Sequence, residues 1–194
     1  MKNLTVTNQV PTNYEFETDF LKVIALNLFN GESFFFYEDK AFLGDSEEAL
    51  NRYNSLTLAE QGFFMDFLNE TYQVIEGNEC TDETETDGKH IVLTDEEADE
   101  KAAEYIKDSL WAFNAGFIIQ HSKLPYEAEE MIQAYQEKEC ESANDTIEAL
   151  IEDMDTFIKD AIGADGRGHF MSSYDGQENE VKVLDTTFFI YRIN

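Results

Sequence analysis

The most chemically varied stretch of the chain is DGRGHFMSSYDGQENE (165–180), which gathers a histidine, an arginine, serines, a tyrosine and four acids among glycines that let the backbone bend tightly. Three kinds of chemistry can be drawn from it. His169 with Asp165 could form a general acid/base pair. His169, Asp175 and Glu178 could ligate a metal. In a structural reading, Arg167 bridges carboxylates bidentately, His169 and Tyr174 hydrogen-bond the loop backbone, and Asp175-Gly176 makes a turn. One histidine among carboxylates has no recognised ligand spacing, so the structural reading is the stronger of the three. His90 and His121 have no partner at ligand spacing, and the P-loop, zinc-finger, G-x-S-x-G and H-E-x-x-H patterns do not occur. GADGRG (163–168) lacks the Lys-Ser/Thr of a phosphate loop. The balance leans away from catalysis: no catalytic residue is assigned, and no metal or cofactor is implied.

The second chemical feature is charge. Thirteen basic against 42 acidic residues leave a formal net charge of −29 on 194 residues. A small domain needs roughly 2–8 units for solubility. Such a field repels nucleic acid and anionic membranes and attracts basic surfaces. The acid is uneven. Residues 76–104 and 127–160 hold twelve acids each, whereas 161–194 hold five against three bases. Solvated helix faces are the plain explanation, and halophilic adaptation is another. The sharper one is that carboxylates on rigid helices imitate phosphates. Duplex DNA carries one charge per roughly 1.7 Å of axis, and a helix rises roughly 1.5 Å per residue, so one acid per two or three residues approaches the density of one strand. The candidate partner-binding residues are Asp95, Glu96, Asp99, Glu127, Glu130, Glu148 and Asp153. Their partner would be a basic protein surface, such as a nucleic-acid-binding enzyme; direct nucleic-acid binding and membrane binding are not expected.

The elements that position these residues follow from periodicity and caps. Phe20, Leu21, Ile24, Leu28 and Phe29 share a helical face from Thr18, stopped at Asn30-Gly31. Ser33–Tyr37 (SFFFY) suits a buried strand or a core helical turn, and an interaction surface around Phe34–Tyr37 is a further reading of that run. Thr57-Leu-Ala-Glu60 is a capping box opening a helix to about Ile75, with Phe63, Phe64, Phe67, Leu68 and Tyr72 inward. Residues from about 76 to 92 read as a flexible acidic loop. A second capping box, Thr94 to Glu97, opens a helix with Ala98, Ala102, Tyr105, Ile106, Leu110 and Phe113 inward. Helices are expected over 125–139, from Pro125, and over 144–162, stopped at Gly163. Residues 163–194 read as a turn-rich element ending in two strands, Val181–Leu184 and Thr187–Ile193, expected to pair as a hairpin.

The expectation is an α+β, mostly helical single domain over 1–194 with a small C-terminal β-hairpin or sheet element. Cys80 and Cys140 read as unpaired cytosolic thiols, no signal peptide is visible, and no apolar run approaches the roughly 18 residues of a membrane span.

LTDEEADEKAAEYIKDSLWAF (93–113), DGRGHFMSSYDGQENE (165–180) and FFIYRIN (188–194) together resemble a group of small acidic proteins encoded by tailed bacteriophages. The resemblance implies a context, the host bacterial cytoplasm, and a role as an accessory protein. Very acidic phage proteins of this size resemble inhibitors of host restriction or CRISPR systems, which favours the DNA-mimic explanation of the charge. It carries over no functional residue.

Overall fold

A computed structural model describes residues 16–77 and 87–194. The fold is α+β, with two three-stranded antiparallel sheets and a C-terminal hairpin in a mostly helical chain. The chain forms two compact units, one built from the N-terminal half plus residues 179–192, the other from Glu96–Glu178 with Ile193.

In the first unit, α1 (Thr18–Phe29) presents the face expected from its periodicity, with Phe20 and Ile24 fully buried. β1 (Phe34–Tyr37), β2 (Lys40–Leu43) and β3 (Gln73–Glu76) form one sheet in that order. The continuous aromatic run of β1 is buried on both faces. Phe36 joins Phe20, Ile24 and Ala41 in one core, and Phe35 and Tyr37 join Phe42, Phe64 and Leu68 in another. Alternation along a strand sends neighbouring rings to opposite sides. Phe35–Tyr37 are 1–9% exposed, so the reading of Phe34–Tyr37 as an interaction surface is corrected.

α2 (Ser46–Ser55), capped by the Asp45 side chain, was not expected. The Thr57 capping box is present, with both reciprocal bonds made, but the helix it opens is short. α3 (Leu58–Gln61) ends at Gly62, α4 (Phe64–Thr71) starts a new segment, and Gln73 onward is strand rather than helix. Phe63 therefore lies between two helices and is exposed, not inward. The backbone of 73–76 pairs with β2, from Lys40 to Leu43, and this ladder outweighs local helix propensity.

The expected loop over about 76–92 is also corrected at both ends. Glu76 belongs to β3, and β4 (His90–Leu93) is a strand; residues 78–86, including Cys80, lie outside the described residues. β5 (Asn179–Val183) and β6 (Thr186–Arg192) form the hairpin, and β6 is the central strand of the second sheet, order β4-β6-β5. Phe188 and Ile190 of β6 pack with α1. Ahead of β4, Asp87 accepts hydrogen bonds from the amides of Lys89 and His90 and sits 2.9 Å from His90 Nδ1.

Burial pushes the Asp87 carboxyl upward, but the His90 ring and the two amides outweigh it and hold the group at about 2. A depressed carboxyl stabilises the fold above its ordinary range near 3.8 and loses that contribution as pH falls through about 2. The stability gap between wild type and Asp87→Asn is therefore expected to be largest above pH about 4 and to close toward pH about 2. Urea unfolding of both proteins across that range measures it; a gap that persists unchanged at pH 2 would contradict the assignment.

The second unit contains helices joined by short turns. α5 (Asp95–Asp108) buries Ala98, Ala102 and Ile106; Tyr105, expected inward, is half exposed. A 3₁₀ turn, Leu110–Ala112, leads to α6 (Ala115–Gln120), which the Asn114 side chain caps by accepting from the amides of Gly116 and Phe117. The helix expected over 125–139 is a 3₁₀ turn, Tyr126–Ala128, followed by α7 (Glu129–Glu139). Pro125 precedes the turn in an extended conformation. The helix expected over 144–162 is two helices, α8 (Asn144–Leu150) and α9 (Met154–Asp165). The break at Ile151–Asp153 carries its own cap, Asp153, and Ile151 bridges to Ser122. Gly163 lies inside α9; the stop is Gly166, whose φ of +78° favours glycine. The turn-rich reading of 163–178 is corrected over α10 (Arg167–Met171), a short helix that contains Gly168.

Candidate functional site

Arg167 opens α10 and its guanidinium is the centre of an ion-pair fork. Nε donates to Glu178 Oε2 at 2.9 Å, Nη2 donates to Glu178 Oε1 at 3.3 Å, and Nη1 donates to Asp99 Oδ1 at 2.9 Å. The arginine side chain is only 11% exposed, so the fork ties α5, α10 and the 178 segment together. Asp175 accepts from Ser172 Oγ at 2.7 Å and from the Gln177 amide, closing the turn that follows α10. Ser172 is buried and Tyr174 is exposed. The three-ligand set His169, Asp175 and Glu178 is not assembled. Among the described residues no group of three or more His, Cys, Asp and Glu side chains could hold a metal ion.

Asp165 and His169 instead share the rim of a cavity of about 310 Å³. Its walls come from the last turn of α5 (Tyr105, with Ser109 beyond), the last turn of α9 (Ala161, Ala164), Phe113, Phe117 and Phe170. The rings are mutually packed: Phe113 stacks on Phe170 with centroids 6.2 Å apart, on Phe117 at 6.0 Å, and Tyr105 lies 6.3 Å from Phe170. His169 meets Phe170 edge-on at 5.0 Å. His121 packs against Phe117 and Phe157 and lies 3.7 Å from Asp160, and His90 packs on Phe29 and Asp87.

The seven acids singled out from the sequence have different fates. Asp99 is held by Arg167. Asp153 caps α9, and the hydroxyl and amide of Thr156 hold its carboxyl below the usual range. Asp95 begins α5. Glu96 on α5, Glu127 in the 3₁₀ turn, Glu130 on α7 and Glu148 on α8 are exposed, each on a separate element.

What sequence reasoning missed is a register. Glu96, Glu100, Glu104 and Asp108 recur every four residues along α5, all exposed, and none forms an ion pair with a described residue. Positions four apart lie on one face about 6 Å apart along the axis. The same helix carries seven acids in 14 residues, or one per about 3 Å of axis, against one phosphate per about 3.4 Å on one DNA strand. Applying the i, i+4 rule to acids as well as to apolar residues would have found the stripe. Across residues 96–178 there are 21 acidic and six basic side chains, and three of those bases (Lys123, Lys138 and Arg167) pair with a neighbouring carboxylate.

No family model, no curated protein and no solved structure matches this chain. Among the described residues no helix is long and apolar enough to cross a membrane.

Proposed function

We propose that the protein acts by binding rather than by catalysis, docking its helical acidic unit on a basic protein surface that otherwise takes nucleic acid. The observation that carries this reading is the α5 stripe. Three successive like-charge pairs, Glu96–Glu100, Glu100–Glu104 and Glu104–Asp108, each destabilise a helix by about 0.2–0.5 kcal/mol. Asp108 also lies in the last turn, at the negative end of the helix dipole, where a cation would be favoured. Solubility does not require acids at those positions, so the fold bears a local cost that a binding role explains. A basic groove would relieve the repulsion and release counterions from both surfaces. In this reading Glu127, Glu130 and Glu148 add to the field, while Asp99 and Asp153 serve the fold.

The resemblance to small phage proteins makes a host nucleic-acid-targeting defence protein the partner class, met in the bacterial cytoplasm. The test is capture of partners from bacterial lysate on the immobilised full chain, at low and high salt, with duplex DNA as competitor. Elution by salt and by DNA is expected. The quadruple variant Glu96→Gln, Glu100→Gln, Glu104→Gln, Asp108→Asn is expected to bind at least about ten-fold more weakly at low salt and to show a shallower salt dependence. A captured partner that binds DNA and this protein together, or a variant that binds like wild type, would end the proposal.

A further inference from the structure

The aromatic cavity of the second unit is not used by a stripe-on-groove contact, yet its lining has a definite chemistry. Four rings, Tyr105, Phe113, Phe117 and Phe170, present faces or edges to one space of about 310 Å³. The faces of such rings attract cations, arginine above all, because the guanidinium also stacks. The last turns of α5 and α9 contribute Tyr105, Ala164 and Asp165, two negative helix ends at the cavity, while the N-terminus of α6 contributes Asn114 and Phe117 with its amides already capped by the Asn114 side chain. The last turn of α9 contains no basic residue. Lys107, the base in the last turn of α5, lines a different hollow with Asp99, Asp155 and Lys159. Asp165 is exposed on the rim, and the Asn114 oxygen is already occupied by the amides of Gly116 and Phe117. The net charge of −29 concentrates cations around the whole molecule.

We propose that this cavity is an anchor site for an organic cation on an apolar stem, the guanidinium of an arginine side chain projecting from the basic partner. The alkyl stem lies against Ala161 and Ala164, the guanidinium lies over the rings, and Asp165 closes the rim. The identity of the occupant as a partner's arginine rests on the docking function above; the cation preference of the cavity does not.

The test uses the full chain and two small probes of nearly equal shape, N-acetylarginine methylamide and its uncharged citrulline counterpart. Binding is followed through the aromatic NMR resonances of Phe113, Phe117 and Phe170. The arginine probe is expected to shift these rings and the citrulline probe to bind at least about five-fold more weakly. Tyr105→Leu and Asp165→Asn change exposed residues and should leave the fold intact; each is expected to weaken the arginine probe by about three-fold, and the pair by about ten-fold. Equal binding of the two probes, or unchanged binding by the double variant, would overturn the site. Ring shifts with the arginine probe in a protein that captures no salt-released partner would support the cavity's preference and remove the docking function. Capture of a partner that competes with DNA, with no ring shifts at saturating arginine probe, would do the reverse.

Discussion

Gly168→Ala is expected to destabilise the helical unit by about 3 kcal/mol or more and to lower its melting temperature by more than about 10 °C, read by circular dichroism. In an ordinary helix the same substitution is stabilising by about 1 kcal/mol, because alanine has the better propensity. Here a Cβ would lie 2.5 Å from the Gly176 carbonyl oxygen and 2.8 Å from both the Gln177 carbonyl carbon and the Glu178 amide nitrogen. These are backbone atoms on both sides of the contact, so no rotamer change relieves the overlap. Gly163→Ala on α9 is the control: nothing lies within 4 Å of its Cβ, and it is expected to be neutral or mildly stabilising. If the two variants melt alike, the close approach of α10 to 176–178 is wrong.

Arg167→Met is expected to cost about 2 kcal/mol, measured by denaturant unfolding. The side chain keeps much of its packing, so the loss is electrostatic. Removing one partner of a fully buried pair costs roughly 3–5 kcal/mol. Asp99 is 64% exposed and Glu178 is 27% exposed, so water recovers part of that. The two limbs should be unequal. The bidentate limb to Glu178 is expected to show a coupling of about 1–2 kcal/mol in a double-mutant cycle with Glu178→Gln, and the exposed limb to Asp99 less than about 1 kcal/mol with Asp99→Asn. The chain has only 13 basic residues, so losing one also raises the self-repulsion of a strongly negative protein. A cycle with no coupling on either limb would reduce the fork to a surface contact.

These two residues share the segment whose varied chemistry first suggested an active centre. The fold gives most of that chemistry a structural use: Arg167 and Glu178 fasten the segment to α5, Asp175 closes its turn, and Gly168 lets it pass close behind α10. Asp165 and His169 are left at the mouth of the aromatic cavity. The acids divide in the same way, with Asp99 and Asp153 working within the fold and the α5 stripe facing solvent.

The α+β class, α1, β1, the Thr57 capping box, α5 and the C-terminal hairpin were legible in the sequence because each is encoded locally, by a cap, a helical face or a turn between two strand-like runs. The strands that carry neither an aromatic run nor a hairpin turn were not legible. β2, β3 and β4 have four residues each, and β4 pairs with β6 about a hundred residues away, so the signal lies in a distant partner. α2 escaped because only Ala49 on it is buried, leaving no apolar stripe to read. The continuous helices expected over 57–75 and 144–162 failed where the chain turns at Gly62–Phe63 and at Ile151–Asp153, since tertiary packing can end a helix whose periodicity runs on.

The amount and position of negative charge belong to the sequence alone, since ionised side chains are counted without a fold. Which carboxylates remain available to a partner, and that Asp165 and His169 meet four aromatic rings at two helix ends, was decided only by the tertiary structure. Ion pairing, capping and cavity formation depend on distances between residues far apart in the chain, and only packing sets those distances.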